Sequence, residues 1–123
     1  MKLLVLGAGL QGAAAAFDML RDPDLECVGL ADVDGDRLEQ ARLRLGDRRL
    51  VAHEIDVGDT ERVTELMGDY DGCLSAVPYF YNLDLTRAAI AAHTHFCDLG
   101  GNNHVVNEQL KLDSAAFAAG ITV

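Results

Sequence analysis

Lys2-Leu3-Leu4-Val5-Leu6-Gly7-Ala8-Gly9-Leu10-Gln11-Gly12 opens the chain with an apolar run that enters a G-x-G-x-x-G turn. A small-residue helix is expected next, from Ala13 to Leu20. A second apolar run, Leu25 to Ala31, ends at Asp32. Strand, glycine turn, helix, strand, acid is the arrangement that holds a dinucleotide. Gly7 permits the tight turn out of the strand. Gly9 has no side chain, so the backbone can approach a pyrophosphate. Gly12 lets the helix lie close to the sheet. The helix N-terminus offers unpaired N–H groups and positive dipole character to phosphates. Asp32, twenty residues after Gly12, can accept hydrogen bonds from both ribose hydroxyls.

Outward from this unit, the same alternation continues. Asp34 to Leu45 carries Leu38, Ala41 and Leu45 at helical spacing, and Gly46 is a stop signal. Leu50 to Ile55 reads as a third strand. Asp59 can cap a helix from Thr60 to Met67, closed by Gly68. Asp71 to Val77 reads as a fourth strand, almost continuously apolar, as suits a parallel strand covered on both faces. Pro78 ends it. Asn82 can cap a helix reaching Ala92. His95 to Leu99 reads as a fifth strand, followed by a turn at Gly100-Gly101-Asn102-Asn103. A single last helix is expected from His104 to Ala119, with Val106, Leu110 and Phe117 on one side. Ile121-Thr122-Val123 would begin a sixth strand. The expected fold is α/β: a Rossmann doubly wound parallel sheet, three layers α/β/α, strand order 3-2-1-4-5-6.

The 123 residues make one domain with enough apolar content, 50% hydrophobic, for a substantial core. A net charge of −10 makes nucleic acid an unfavourable partner. It does not exclude a dinucleotide, which is held by local N–H groups. Lys2 and the run after it resemble a signal peptide, but Gly7, Gly9 and Gln11 interrupt the run, and a mature strand fits better. No run approaches the ~18 apolar residues of a membrane span. Cys27, Cys73 and Cys97 are scattered in apolar, strand-like stretches, which points to buried, reduced thiols in a cytoplasmic protein. The chain stops three residues into its last strand, so the expectation is an N-terminal, cofactor-binding portion, residues 1–123, of a longer polypeptide.

In such a sheet the ligand lies along the carboxyl ends of the strands. Asp56-Val57 can flank the adenine or form an ordinary polar turn. Ala76-Val77-Pro78 can wall a flat nicotinamide ring. Tyr79-Phe80-Tyr81 places three aromatics in the adjoining loop, with Phe80 expected in the core and Tyr79 or Tyr81 free to meet a substrate. His93, His95 and Cys97 alternate, but no fourth ligand is evident and no metal is expected. Asp98-Leu99-Gly100-Gly101 can line the pocket or cap the next helix. No catalytic acid or base can be named.

These residues together resemble the N-terminal domain of the saccharopine dehydrogenase family, particularly its lysine 6-dehydrogenase-like branch. The resemblance rests on VLGAGLQG (Val5 to Gly12), LADVD (Leu30 to Asp34), the Ile55 to Asp59 segment, SAVPYFYN (Ser75 to Asn82), the His95 to Gly101 segment and AAGITV (Ala118 to Val123). It implies an NAD(P)-dependent oxidoreductase acting at a C–N bond of an amino acid, a separate catalytic domain, and a homodimer. It implies that Gly7, Gly9, Leu10, Gln11 and Gly12 hold the pyrophosphate, that Asp32 and the adjoining Val33 lie at the adenosine ribose, that Asp56 and Val57 lie beside the adenine, and that Ala76, Val77 and Pro78 lie near the nicotinamide. Asp32 favours NAD, because a carboxylate repels a 2′-phosphate, while Arg37 nearby leaves NADP open. The competing expectation is a regulatory domain that senses a nucleotide without chemistry. The aromatic loop and the Asp98 to Gly101 turn favour the enzyme.

Overall fold

The apolar runs pair as a parallel sheet. The computed structural model describes all of residues 1–123. Its strands are β1 (Lys2–Leu6), β2 (Cys27–Asp32), β3 (Leu50–Glu54), β4 (Gly72–Ser75) and β5 (His95–Asp98). The helices are α1 (Leu10–Leu20), α2 (Gly35–Leu45), α3 (Thr60–Met67), α4 (Asn82–Ala92), α5 (Asn103–Leu110) and α6 (Asp113–Ala119). The sheet order is β3-β2-β1-β4-β5, every pair parallel. Order and layering are those the alternation predicts.

Strand periodicity divides the core in two. Leu4 and Leu6 point to the α3 and α4 side, where Val63, Met67, Leu85 and Ala89 are fully buried. Val5 points to the α1 and α2 side, with Ala16, Leu20, Val28, Leu30 and Leu38. Successive side chains on a strand face opposite ways, so one run supplies both layers. Truncating a fully buried leucine such as Leu4 costs about 2–5 kcal/mol.

Register aligns the functional ends. Leu6 pairs with Ala31 and with Ser75, Asp32 pairs with Glu54, and Ser75 pairs with Asp98. The loops after all five strands therefore leave from one edge of the sheet.

The C-terminal part departs from the sequence expectation. The single helix predicted over 104–119 is two helices. At the break, the Lys111 and Leu112 N–H groups bond the Glu108 and Gln109 carbonyls three residues back, so the backbone tightens and α6 sets off anew. The change of direction buries Ala116 and leaves Val106, Leu110 and Phe117 exposed rather than packed on one side. Residues 121–123 form no sixth strand. The Phe96 N–H reaches the Thr122 carbonyl, but the Thr122 N–H goes to Nδ1 of His95 instead of a backbone carbonyl, so no ladder develops. The strand β5 is thus an edge. In place of the three buried cysteines expected, Cys73 is buried, Cys27 is half-buried and Cys97 is exposed. No helix is long and apolar enough to cross a membrane.

Candidate functional site

The three glycines of the turn are required for three different reasons. Gly7 has φ +99°, and a Cβ there would lie 2.9 Å from the Ala76 carbonyl oxygen. It serves both the turn and the close approach of β1 to the segment after β4. At Gly12 a Cβ would overlap the Gly7 carbonyl oxygen. Helix α1 is therefore pressed against the strand-exit turn itself as well as the sheet. At Gly9 a Cβ would meet nothing within 4 Å. That space lies at the N-cap of α1, where no side chain caps the helix and no acidic residue occupies the first turn. Unpaired N–H groups and the positive helix end face a clear approach, which fits a pyrophosphate.

The turn is latched to β2. The Gly7 N–H donates to the Ala31 carbonyl at 2.7 Å. The Ala8 N–H donates to Asp32 Oδ2 at 2.7 Å, and the Asp34 N–H donates to Asp32 Oδ1 at 2.9 Å. The Asp32 carboxylate thus shapes the turn while each oxygen keeps lone-pair capacity for a further donor. Asp34 caps α2, accepting from the Asp36 and Arg37 N–H groups. A Cβ on Gly35 would lie 2.8 Å from Glu54 Oε2, so a third carboxylate stands beside this helix start. Arg37 Nε sits 3.3 Å from Asp34 Oδ2 in an exposed ion pair. Exposed Leu10 begins α1, and exposed Val33 stands on the loop after β2.

The other predicted site residues occupy the same sheet edge. Asp56 accepts the Gly58 N–H at 2.8 Å and makes a polar turn after β3, while Val57 packs partly against the core. Ala76, Val77 and Pro78 follow β4, with Ala76 against Gly7. The structure therefore gathers Gly7 to Gly12, Asp32, Val33 and Ala76 to Pro78 around the crossing between β1, β2 and β4. Asp56 stands one strand further out.

Two expectations about the aromatic segment are corrected. Tyr79–Tyr81 forms a 3₁₀ turn, and Phe80 is 60% exposed rather than in the core. Its ring lies between Tyr79 and Tyr81, and Tyr81 is the one that packs partly on the core. Asn82 does not cap α4 with its side chain. The helix begins at Asn82 itself, after the 3₁₀ turn, and its side-chain oxygen accepts from Ser75 Oγ at 2.8 Å, fully inside the protein.

Asp98 lies half-buried at the end of β5. Its Oδ1 accepts the Gly100 N–H and its Oδ2 accepts from Gln109 Nε2 at 2.7 Å. Gln109 and Thr86 had no sequence signal as site neighbours, because a lone glutamine or threonine on a helix has no distinguishing spacing. His93 and His95 are engaged elsewhere, with the Ala119 carbonyl and the Thr122 N–H. No cluster of three or more His, Cys, Asp or Glu side chains is placed to hold a metal ion. A groove of about 470 Å³ runs between β5, α5 and α6, lined by Phe96, Val106, Leu110 and Phe117, and it touches none of the glycine-turn residues.

The model of the saccharopine dehydrogenase NADP binding domain matches residues 3–123. The chain belongs to this family. Its members' nicotinamide dinucleotide, NAD or NADP, is what the glycine turn and the open approach at Gly9 fit. Among solved structures, the chain is similar to saccharopine dehydrogenase (L-Glu forming) from Saccharomyces cerevisiae, at 23% identity and TM-score 0.80, covering 99% of this chain and 26% of that one. It is similar to a probable dehydrogenase from Thermotoga maritima, at 20% identity and TM-score 0.73, covering 98% and 34%. It is also similar to scyllo-inositol dehydrogenase from Lactobacillus casei with bound NAD(H) and scyllo-inositol, at 18% identity and TM-score 0.70, covering 95% and 34%. Likeness at this identity establishes the shared Rossmann fold of the domain. The saccharopine dehydrogenase-type domain seen here spans between a quarter and about a third of those chains.

Proposed function

We propose that this chain binds NAD in preference to NADP and serves as the cofactor-binding part of a dehydrogenase that oxidises a C–N bond of an amino acid. The observation that carries the dinucleotide assignment is the latch between Asp32 and the glycine turn beside the open space at Gly9. The pyrophosphate lies over the N-terminus of α1, between Gly7 and Gly12, with Leu10 and Gln11 beside it. Asp32 receives the adenosine ribose hydroxyls and Val33 borders the ribose. Asp56 and Val57 flank the adenine. Ala76, Val77 and Pro78 face the nicotinamide. When bound, the dinucleotide supplies the hydride acceptor.

NAD is favoured on charge. Asp32, Asp34 and Glu54 stand near the ribose end, and a 2′-phosphate would meet their carboxylates. Arg37 is tied to Asp34, although that exposed pair is weak.

Amino-acid chemistry is supported by the family and by the sequence resemblance through Ser75 to Asn82. Substrate and proton-transfer groups belong to further polypeptide of a larger, homodimeric, cytoplasmic enzyme. The test is the complete enzyme with NAD and a panel of amino acids and polyols. NADH formation with an amino acid is expected. NADH formation with polyols alone would overturn the substrate class.

A further inference from the structure

Five residues form one line of hydrogen bonds along the half of the sheet opposite Asp32, with Asn82 taking part through both its side-chain oxygen and its backbone carbonyl. Ser75 Oγ donates to Asn82 Oδ1 at 2.8 Å. Thr86 Oγ1 donates to the Asn82 carbonyl at 2.8 Å and accepts from Gln109 Nε2 at 2.9 Å. Gln109 Nε2 also donates to Asp98 Oδ2 at 2.7 Å, and Asp98 Oδ1 receives the Gly100 N–H. Ser75 and Asp98 are themselves register partners on β4 and β5, so the sheet closes the line into a ring.

The direction of these bonds is dictated by chemistry. A carboxylate can only accept, so Gln109 must present its NH₂ group to Asp98. The second N–H of that group then meets Thr86, whose own proton is free for the Asn82 carbonyl. Ser75, Asn82 and Thr86 are each at most 3% exposed. Polar groups so buried are costly unless partnered, and the Ser75 and Thr86 hydroxyls and the Asn82 side-chain oxygen are all hydrogen-bonded.

The placement of the ring suggests a role beyond packing. The Ser75–Asn82 bond clasps the base of the loop that holds Ala76-Val77-Pro78 and the aromatic 3₁₀ turn. The Asp98–Gly100 bond holds the turn that contains Gly100 and Gly101, both with positive φ. We propose that this ring is a positioning device that couples the two loops, with Gln109 as the bridge, so that the walls of the nicotinamide end are set as one unit. The proposal rests on the dinucleotide assignment made above.

ADP-ribose separates the two halves of the site. It carries every group assigned to Gly7 to Gly12 and Asp32, and it lacks the nicotinamide. Titrations with NADH and with ADP-ribose are run on wild type, Ser75→Ala and Gln109→Met, with thermal melting as the check on folding. Both variants are expected to weaken NADH about tenfold and to change ADP-ribose less than about twofold, since the bonds removed, one in Ser75→Ala and two in Gln109→Met, lie at one end of the ligand only. If Ser75→Ala fails to fold, Gln109→Met, at the half-buried end of the ring, gives the same readout. Equal weakening of both ligands, or unchanged NADH affinity in folded Gln109→Met, would overturn the proposal. Wild type that binds ADP-ribose while the variants fail to discriminate leaves the dinucleotide site standing and removes the coupling alone. Wild type that binds neither ligand removes both.

Discussion

The Asp32 carboxylate holds the Ala8 N–H at 2.7 Å, so the acid at the end of β2 helps to shape the glycine turn at the end of β1. A residue read only as a ribose ligand therefore also has a structural task. Asp32→Ala leaves the Ala8 and Asp34 N–H groups without their acceptor. The expected loss is about 1–3 kcal/mol of stability in urea unfolding, together with weaker NADH binding. Unchanged stability would show that the latch contributes nothing.

Gly9 and Gly12 give opposite phenotypes. A methyl group at Gly12 overlaps the Gly7 carbonyl, so Gly12→Ala forces α1 away and costs about 1–3 kcal/mol. A methyl group at Gly9 meets only open space and sits at an ordinary φ of −69°, so Gly9→Ala costs under about 1 kcal/mol. Its Cβ instead projects where the pyrophosphate approaches, and NADH affinity falls by about tenfold or more. Melting and titration of both variants check the pair.

The chain's first half was largely legible because its signals are local. Glycine spacing and the stop at Gly46 each act within a few residues. The site ends of the strands followed from a parallel sheet. The later part was less legible because tertiary contacts decide it. Phe80 is apolar yet exposed, since the 3₁₀ turn after Pro78 carries it outward. Asn82 has the right type for a cap, but Ser75, seven residues earlier and buried, claims its side chain. The helix break at Lys111–Leu112 has no glycine or proline to announce it.

One part-buried pair makes stability respond to both alkaline and acid pH. His53 Nε2 and the Tyr70 hydroxyl lie 2.7 Å apart, with rings edge to face. Burial pushes the Tyr70 phenol up to about 12 and lowers the His53 imidazole from its ordinary value. The unfolded chain loses the Tyr70 proton near pH ~10, before the folded chain does, so stability falls as pH rises from there to about 12. The His53 contribution has the opposite sign. It is present above the ordinary imidazole value near ~6.5 and is lost as pH falls through the lower folded value. Tyr70→Phe should cost about 0.5–1.5 kcal/mol at neutral pH and flatten the alkaline limb of the stability–pH curve. An unchanged alkaline limb would contradict this assignment.

Thiol labelling should follow exposure. Cys97 stands on the exposed edge strand, Cys27 is half-buried, and burial drives the Cys73 thiol far above its usual range. Iodoacetamide is expected to modify Cys97 first and Cys73 only on unfolding. Burial and the neighbouring Asp98 also raise the Cys97 thiol, so its labelling accelerates as pH rises above neutrality. Early modification of Cys73 in the folded protein would contradict the packing of β4.

The central claim is that Gly7 to Gly12 and Asp32 hold a dinucleotide with an unphosphorylated ribose. Calorimetric titration of the wild-type chain with NADH and with NADPH tests it most directly. Tighter binding of NADH, by about tenfold or more, is the expected result, since the carboxylates at the ribose end disfavour a 2′-phosphate. Binding of neither dinucleotide, or tighter binding of NADPH, would contradict it.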